Sequence, residues 1–257
     1  GSFVAWPVTP WAYFDGQASL PSVEEAELRA SVTLLGGEYA TLAYNITNVS
    51  SRTLEVHVLC DGVYAEGNKP RADKEEEAFW KDAIAFRRAV SLPDVRGEMV
   101  TDALPLLDQA GLLTVPAWES AQLWITVNAK DLGAGKYLAE VRLKSLEAIV
   151  TERTIPVSIT VEPLALPRPR PLRFCMWAYD GGKLGTDQPE VLQELIDHGT
   201  TVFFGASPKA EADAEGALTG EIDYAVLDEQ VARLSPHGIM LFMSPQNAIQ
   251  GPEFLSS

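Results

Sequence analysis

The residues of this 257-residue chain best suited to chemistry lie in three short clusters, each just after an apolar run. Trp177, Tyr179 and Asp180 precede a Gly181-Gly182 pair, Gly205, Ala206, Ser207 and Pro208 follow the run 200–204, and Ser244, Gln246 and Asn247 follow the run 238–243. Indole and phenol rings beside amides, a hydroxyl and a carboxylate suit a sugar. A pyranose offers an apolar C–H face for stacking and a rim of hydroxyls for hydrogen bonds. Trp177, Tyr179, Asp180, Ser207, Gln246 and Asn247 are therefore the candidate substrate-binding residues. Trp177 and Phe204 also suit a second role, packing the interior beneath such a site.

Other chemistries find no support. Gly181-Gly182-Lys183-Leu184-Gly185 lacks the spacing of a dinucleotide or phosphate loop, so no cofactor is expected. No G-x-S-x-G elbow occurs. His57, His198 and His237 are scattered, and the last two each precede a glycine at the end of an expected helix, where a left-handed cap is the simplest reading. Neither the histidines nor the two cysteines form a metal-ligand pattern. Cys60 and Cys175, 115 positions apart in sequence, read as two buried thiols or as one disulfide. Asn45-Ile46-Thr47 and Asn48-Val49-Ser50 match the glycosylation pattern, but these residue types also make turns, the reading preferred here. Glycosidic-bond hydrolysis needs a pair of carboxyl groups. Asp180 is the one acid directly after a strand, while Asp213, Glu215, Glu221 and Asp223 read as a solvated stretch, so no catalytic pair is assigned.

Two kinds of element must position these residues. From residue 30 to 161 short alternating runs separated by turn signals predict an antiparallel sandwich of immunoglobulin-like type. Within it Tyr39-Ala40-Thr41-Leu42-Ala43-Tyr44-Asn45-Ile46 and the run 54–60 are expected to pair as a hairpin. An amphipathic helix is expected over 71–90, from Phe79, Ala83, Phe86 and Val90 with Trp80 and Ile84 beside them. Four prolines in 163–171 predict a stiff linker. Beyond it, strands apolar on both faces (172–179, 200–205, 238–243) alternate with helices (188–198, 224–235), the grammar of parallel βαβ units. The expected domains are thus 3–162, a sandwich with a helical insertion, the linker 163–171, and 172–257, about three βα units of a partial (β/α)8 barrel.

The net charge of −16 argues against nucleic acid as a partner. No run approaches the roughly 20 apolar residues of a membrane helix, so no membrane insertion is expected. Gly1-Ser2 reads as a cloning remnant, which leaves the presence of an export signal open.

Leu104-Pro105-Leu106-Leu107-Asp108, Leu113-Thr114-Val115-Pro116-Ala117, Gln122-Leu123-Trp124-Ile125-Thr126-Val127 and Leu132-Gly133-Ala134-Gly135-Lys136-Tyr137, with Leu166-Pro167 leading into the second region, resemble a known arrangement. It is that of bacterial glycoside-hydrolase-like proteins similar to glycoside hydrolase family 123 and its uncharacterised relatives. The resemblance follows the order of elements over most of residues 30–257. It implies a sandwich followed by a (β/α)8 barrel, a carbohydrate as partner, and a secreted or periplasmic location. It also implies an Asp-Glu pair, contributed by the fourth barrel strand or a later one, that acts with the substrate's acetamido group as nucleophile. No residue here matches that pair. Only 86 residues follow Pro171, whereas a complete barrel takes roughly 250. The expectation is an inactive N-terminal portion of a carbohydrate-active enzyme. The alternative is a non-catalytic carbohydrate- or protein-binding sandwich with a small α/β domain, and a homo-oligomer could cover the barrel's cut edge.

Overall fold

A computed structural model of the chain describes residues 1–17, 20–21, 28–67, 81–167, 172–175, 186–205, 208–211 and 213–242. The chain divides into two compact units, Gly1–Leu166 and Pro167–Ser257.

The first unit is built of β-strands. In chain order they are β1 (Phe3–Val8), β2 (Ala30–Gly36), β3 (Tyr39–Asn48), β4 (Leu54–Cys60), β5 (Tyr64–Ala65), β6 (Ile84–Arg88), β7 (Val90–Pro93), β8 (Met99–Ala103), β9 (Leu112–Val115), β10 (Ser120–Asn128), β11 (Gly135–Ser145) and β12 (Glu152–Ala165). One sheet has the order β1-β3-β10-β6, antiparallel throughout. The other runs β2-β12-β11-β4-β9, with β5 also on β11, and it is antiparallel except where β2 lies parallel to β12. β7 and β8 form a separate antiparallel hairpin.

Alternation explains why these runs are strands. Tyr137, Ala139, Val141 and Leu143 of β11, and Ile155, Val157, Ile159 and Val161 of β12, are all buried, while the residues between them are mostly turned to water. They share one core with Tyr44 and Ile46 of β3 and Leu123, Ile125 and Val127 of β10, so both sheets bury their inner faces in the same cluster.

Three expectations are corrected here. β3 and β4 do not pair as a hairpin: β3 bonds to β1 and β10, and β4 to β11 and β9. The turn between them carries the chain from one sheet to the other, fastened by Asn48, which is fully buried. Its amide nitrogen donates to the carbonyls of Arg52 (2.6 Å), Val115 (3.1 Å) and Pro116 (3.0 Å), and its oxygen accepts from the Ser50 N–H and hydroxyl (2.8 and 2.7 Å).

The helix expected over 71–90 is absent from 81 onward. Lys81–Ala83 is a single 3-10 turn, and β6 follows it directly; residues 71–80 lie outside the described residues. Ile84 and Phe86 satisfy a two-residue period as well as a helical one, and here they pack on the core opposite Val127 and Ile125 of β10.

The proline-rich stretch expected as linker from 163 starts later, because β12 continues to Ala165. Pro163 needs no ladder partner. β11 last pairs at Val161, and the register against β2 slips between Val161 and Ala165.

The second unit holds a three-stranded parallel sheet in the order β13 (Phe174–Cys175), β14 (Thr200–Gly205), β15 (Ile239–Phe242). Helix α1 (Pro189–Asp197) connects the first two strands and α2 (Ala225–Leu234) the next two. α1 begins with Pro189, whose missing N–H is harmless there. It ends at His198 and a left-handed Gly199 (φ +86°), as the His-Gly spacing leads one to expect. Leu192 of α1, Phe203 of β14 and Leu234 of α2 are buried together, with Ile196 and Met240 packed against them.

Candidate functional site

Parallel order decides where a site in the second unit can form. Since β13, β14 and β15 point the same way, Cys175, Gly205 and Phe242 all lie at the carboxyl edge of this sheet. In open α/β sheets and barrels, that edge is where ligands bind. The candidates follow these ends closely in sequence: Trp177, Tyr179 and Asp180 after Cys175, Ser207 after Gly205, Gln246 and Asn247 after Phe242. All six lie outside the described residues. The edge itself is described as far as Cys175, Gly205 and Phe242.

The acidic stretch after β14 is described, apart from residue 212, and it is an ordered excursion. Its base is closed by paired backbone bonds between Lys209 and Asp223 (3.0 and 2.9 Å), and a bond from the Thr219 N–H to the Glu211 carbonyl (3.0 Å) follows. Two of its carboxylates serve the backbone. Asp213 accepts from the Ala217 N–H at 2.7 Å, and Asp223 accepts from the Ala225 N–H at 2.9 Å at the start of α2. Glu215 and Glu221 are exposed. This is the geometry of a solvated loop rather than of two carboxyl groups facing across a bond.

The remaining polar candidates have structural employment. His198 Nδ1 lies 2.9 Å from the Glu194 carbonyl, one turn back in α1. Among the described residues no group of three or more His, Cys, Asp or Glu side chains could hold a metal ion. Cys60, in the first unit, and Cys175, in the second, are both free thiols. Burial pushes the Cys60 thiol up, and the neighbouring Asp61 carboxylate adds to the effect against the backbone N–H of Gly62, 3.4 Å from the sulfur. Asn48 is unavailable as a glycan acceptor, since its amide is consumed inside the sheet-to-sheet turn. An open pocket of about 400 Å³ by the β11–β12 turn is lined by Ser2, Arg52, Glu147 and Ile149 among others.

Sequence reasoning passed over one cluster in the first unit. Trp124 stands on the outer face of β10, opposite Ala43 of β3 and Arg87 of β6. Its indole N–H donates to Gln122 Oε1 at 2.6 Å, and Gln122 Nε2 donates to Asn45 Oδ1 at 3.0 Å, a relay that fixes the ring. Trp11 meets it edge to face, with ring centres 6.3 Å apart and planes at 90°. Trp11 is nonetheless 88% exposed and Tyr13 80%. The available signal was density: Trp6, Trp11, Tyr13 and Phe14 put four aromatic rings within nine residues.

No protein-family model matches the chain, and no curated protein matches it. Solved structures do. A family 123 glycoside hydrolase from Clostridium perfringens, whose structural analysis concerns glycolipid glycan hydrolysis, is similar over 96% of this chain at a TM-score of 0.65 and 12% identity. The chain spans about half of that structure, 47% of its length. The E. coli chaperone DraB matches over 53% of this chain and 53% of its own, at 11% identity and a TM-score of 0.31. The CsuC–CsuE chaperone–adhesin complex of Acinetobacter baumannii matches over 65% and 55%, at 9% identity and 0.31. Scores of 0.31 carry no argument. What the chain shares with the family 123 enzyme, across both of its units, is therefore a fold.

Proposed function

We propose that this chain is the N-terminal portion of a carbohydrate-active, glycoside-hydrolase-like enzyme. In this reading the first unit is an immunoglobulin-like accessory sandwich, and the parallel unit is the opening of a (β/α)8 barrel. The observation that carries it is the likeness to the family 123 glycoside hydrolase, which extends over 96% of the chain and so takes in the parallel unit as well as the sheets. The order β13-β14-β15 with a helix in each crossover is what the first turns of such a barrel require. Trp177, Tyr179, Asp180, Ser207, Gln246 and Asn247 then line the near side of a sugar site. The catalytic carboxyl groups come from strands that follow.

The test is turnover of a panel of aryl glycosides, N-acetylhexosaminides included. It compares the 257-residue chain with a longer protein carrying further βα repeats from the same reading frame. The shorter chain is expected to be inert and the longer one active. Glycosidase turnover by the 257-residue chain itself, or a reading frame without such repeats, contradicts the proposal.

A further inference from the structure

The corner formed by Trp11 and Trp124 lies on the outer face of β10, outside the core cluster between the sheets. An indole that is 88% exposed holds a large apolar surface in water, and the neighbour it touches is immobilised through Gln122 and Asn45. Trp11 is itself held at the start of an anchored segment. The Ala12 N–H donates to the Thr9 carbonyl at 2.9 Å, the Thr101 hydroxyl of β8 to the Phe14 carbonyl at 2.7 Å, and the Ser120 N–H to the Gly16 carbonyl at 2.9 Å. The result is a pair of rings at right angles, that of Trp124 fixed by its relay, with Tyr13 exposed two residues beyond Trp11.

We propose that this corner of the first unit is a binding site for one hexopyranose of a neutral glycan. The C–H face of the sugar stacks on the exposed indole of Trp11, whose backbone is anchored and whose ring rests edge-on against the fixed Trp124. Neutrality follows from the chain's net charge of −16, which disfavours polyanionic glycans. Perpendicular planes select a single sugar unit. A flat crystalline polysaccharide needs coplanar rings, and this pair offers one stacking plane with a wall beside it. The site stands on the first unit alone and goes beyond the enzymatic reading.

The experiment titrates the isotope-labelled 257-residue chain with cellotetraose, chitotetraose and galactotetraose, reading the indole N–H resonances by NMR. At least one of the three is expected to shift the Trp11 and Trp124 resonances, with a Kd on the order of 1 mM for one stacked sugar. Trp11→Ala is expected to weaken binding about ten-fold or more. Trp118→Gly removes another exposed indole, at a position whose φ of +60° glycine adopts freely, and should leave binding unchanged. Microcrystalline cellulose should not retain the chain. The proposal is overturned if none of the three sugars moves Trp11, if Trp11→Ala binds as the parent does, if Trp118→Gly loses binding equally, or if cellulose retains the chain. Shifts confined to Trp177 would also overturn it while leaving the sugar site of the parallel unit standing.

Discussion

Asn48 closes the turn that moves the chain between sheets, and nothing about its residue type announces this. Its two N–H groups are shared among three backbone carbonyls in a buried position. Asn48→Ala would strand those acceptors, and a loss of about 2–4 kcal/mol in denaturant unfolding is expected. Expression in a glycosylating host should add no mass at this asparagine. Tyr44 offers a second check, through pH. Burial pushes its phenol from 10.0 up to about 12. Above pH 10 the unfolded chain has released this proton while the folded one keeps it, so stability falls as pH rises through the window from 10 to 12; below 10 the group contributes no slope. Tyr44→Phe removes that component. The variant gives up roughly 1 kcal/mol at neutral pH with the bond to the Arg29 carbonyl, and its melting temperature should then fall less than the parent's across that window.

At the level of elements, the sequence makes local character legible and partnership much less so. The alternation in β3, β4, β10, β11 and β12 is plain, because period two is written in each run separately. Which strands pair depends on turn geometry and on buried groups such as Asn48, and the apparent hairpin of β3 and β4 is in fact a crossover between sheets. Ile84 and Phe86 of β6 fit both periods, and pairing with the edge of β10 selects the strand. Both helices of the parallel unit were legible from their apolar spacing and terminal residues. The second His-Gly pair was not, since only Gly199 takes the left-handed conformation. Gly238 is required for a different reason. A Cβ there would overlap the Thr201 carbonyl oxygen and lie 2.6 Å from its carbon. Gly238→Ala should therefore force β15 away from β14 and lower the unfolding midpoint of the second unit by several kcal/mol's worth of denaturant, about 2–4 kcal/mol. An unchanged midpoint would show that the two strands approach less closely.

For the molecule as a whole, charge and composition exclude more than they identify. The net charge of −16 argues against nucleic acid, and among the described residues no helix is long and apolar enough to cross a membrane. The change from antiparallel sheets to parallel βαβ units accompanies a change in the sequence from half-apolar to fully apolar strands. The proposed sugar site is written in the sequence only as a set of residue types beyond three strand ends, because a site assembled from separate loops leaves no fixed spacing along the chain. The Trp11–Trp124 corner was missed for the same reason, its two rings being 113 positions apart in sequence. The central claim is that the carboxyl edge of β13, β14 and β15 carries a sugar site. Its most direct test is kcat/KM on the preferred aryl glycoside for the longer protein and for its Trp177→Ala variant, with the unfolding temperature measured alongside. A loss of about ten-fold or more at unchanged unfolding temperature is expected from removing a stacking ring. Parent-like kcat/KM in the variant would contradict the claim.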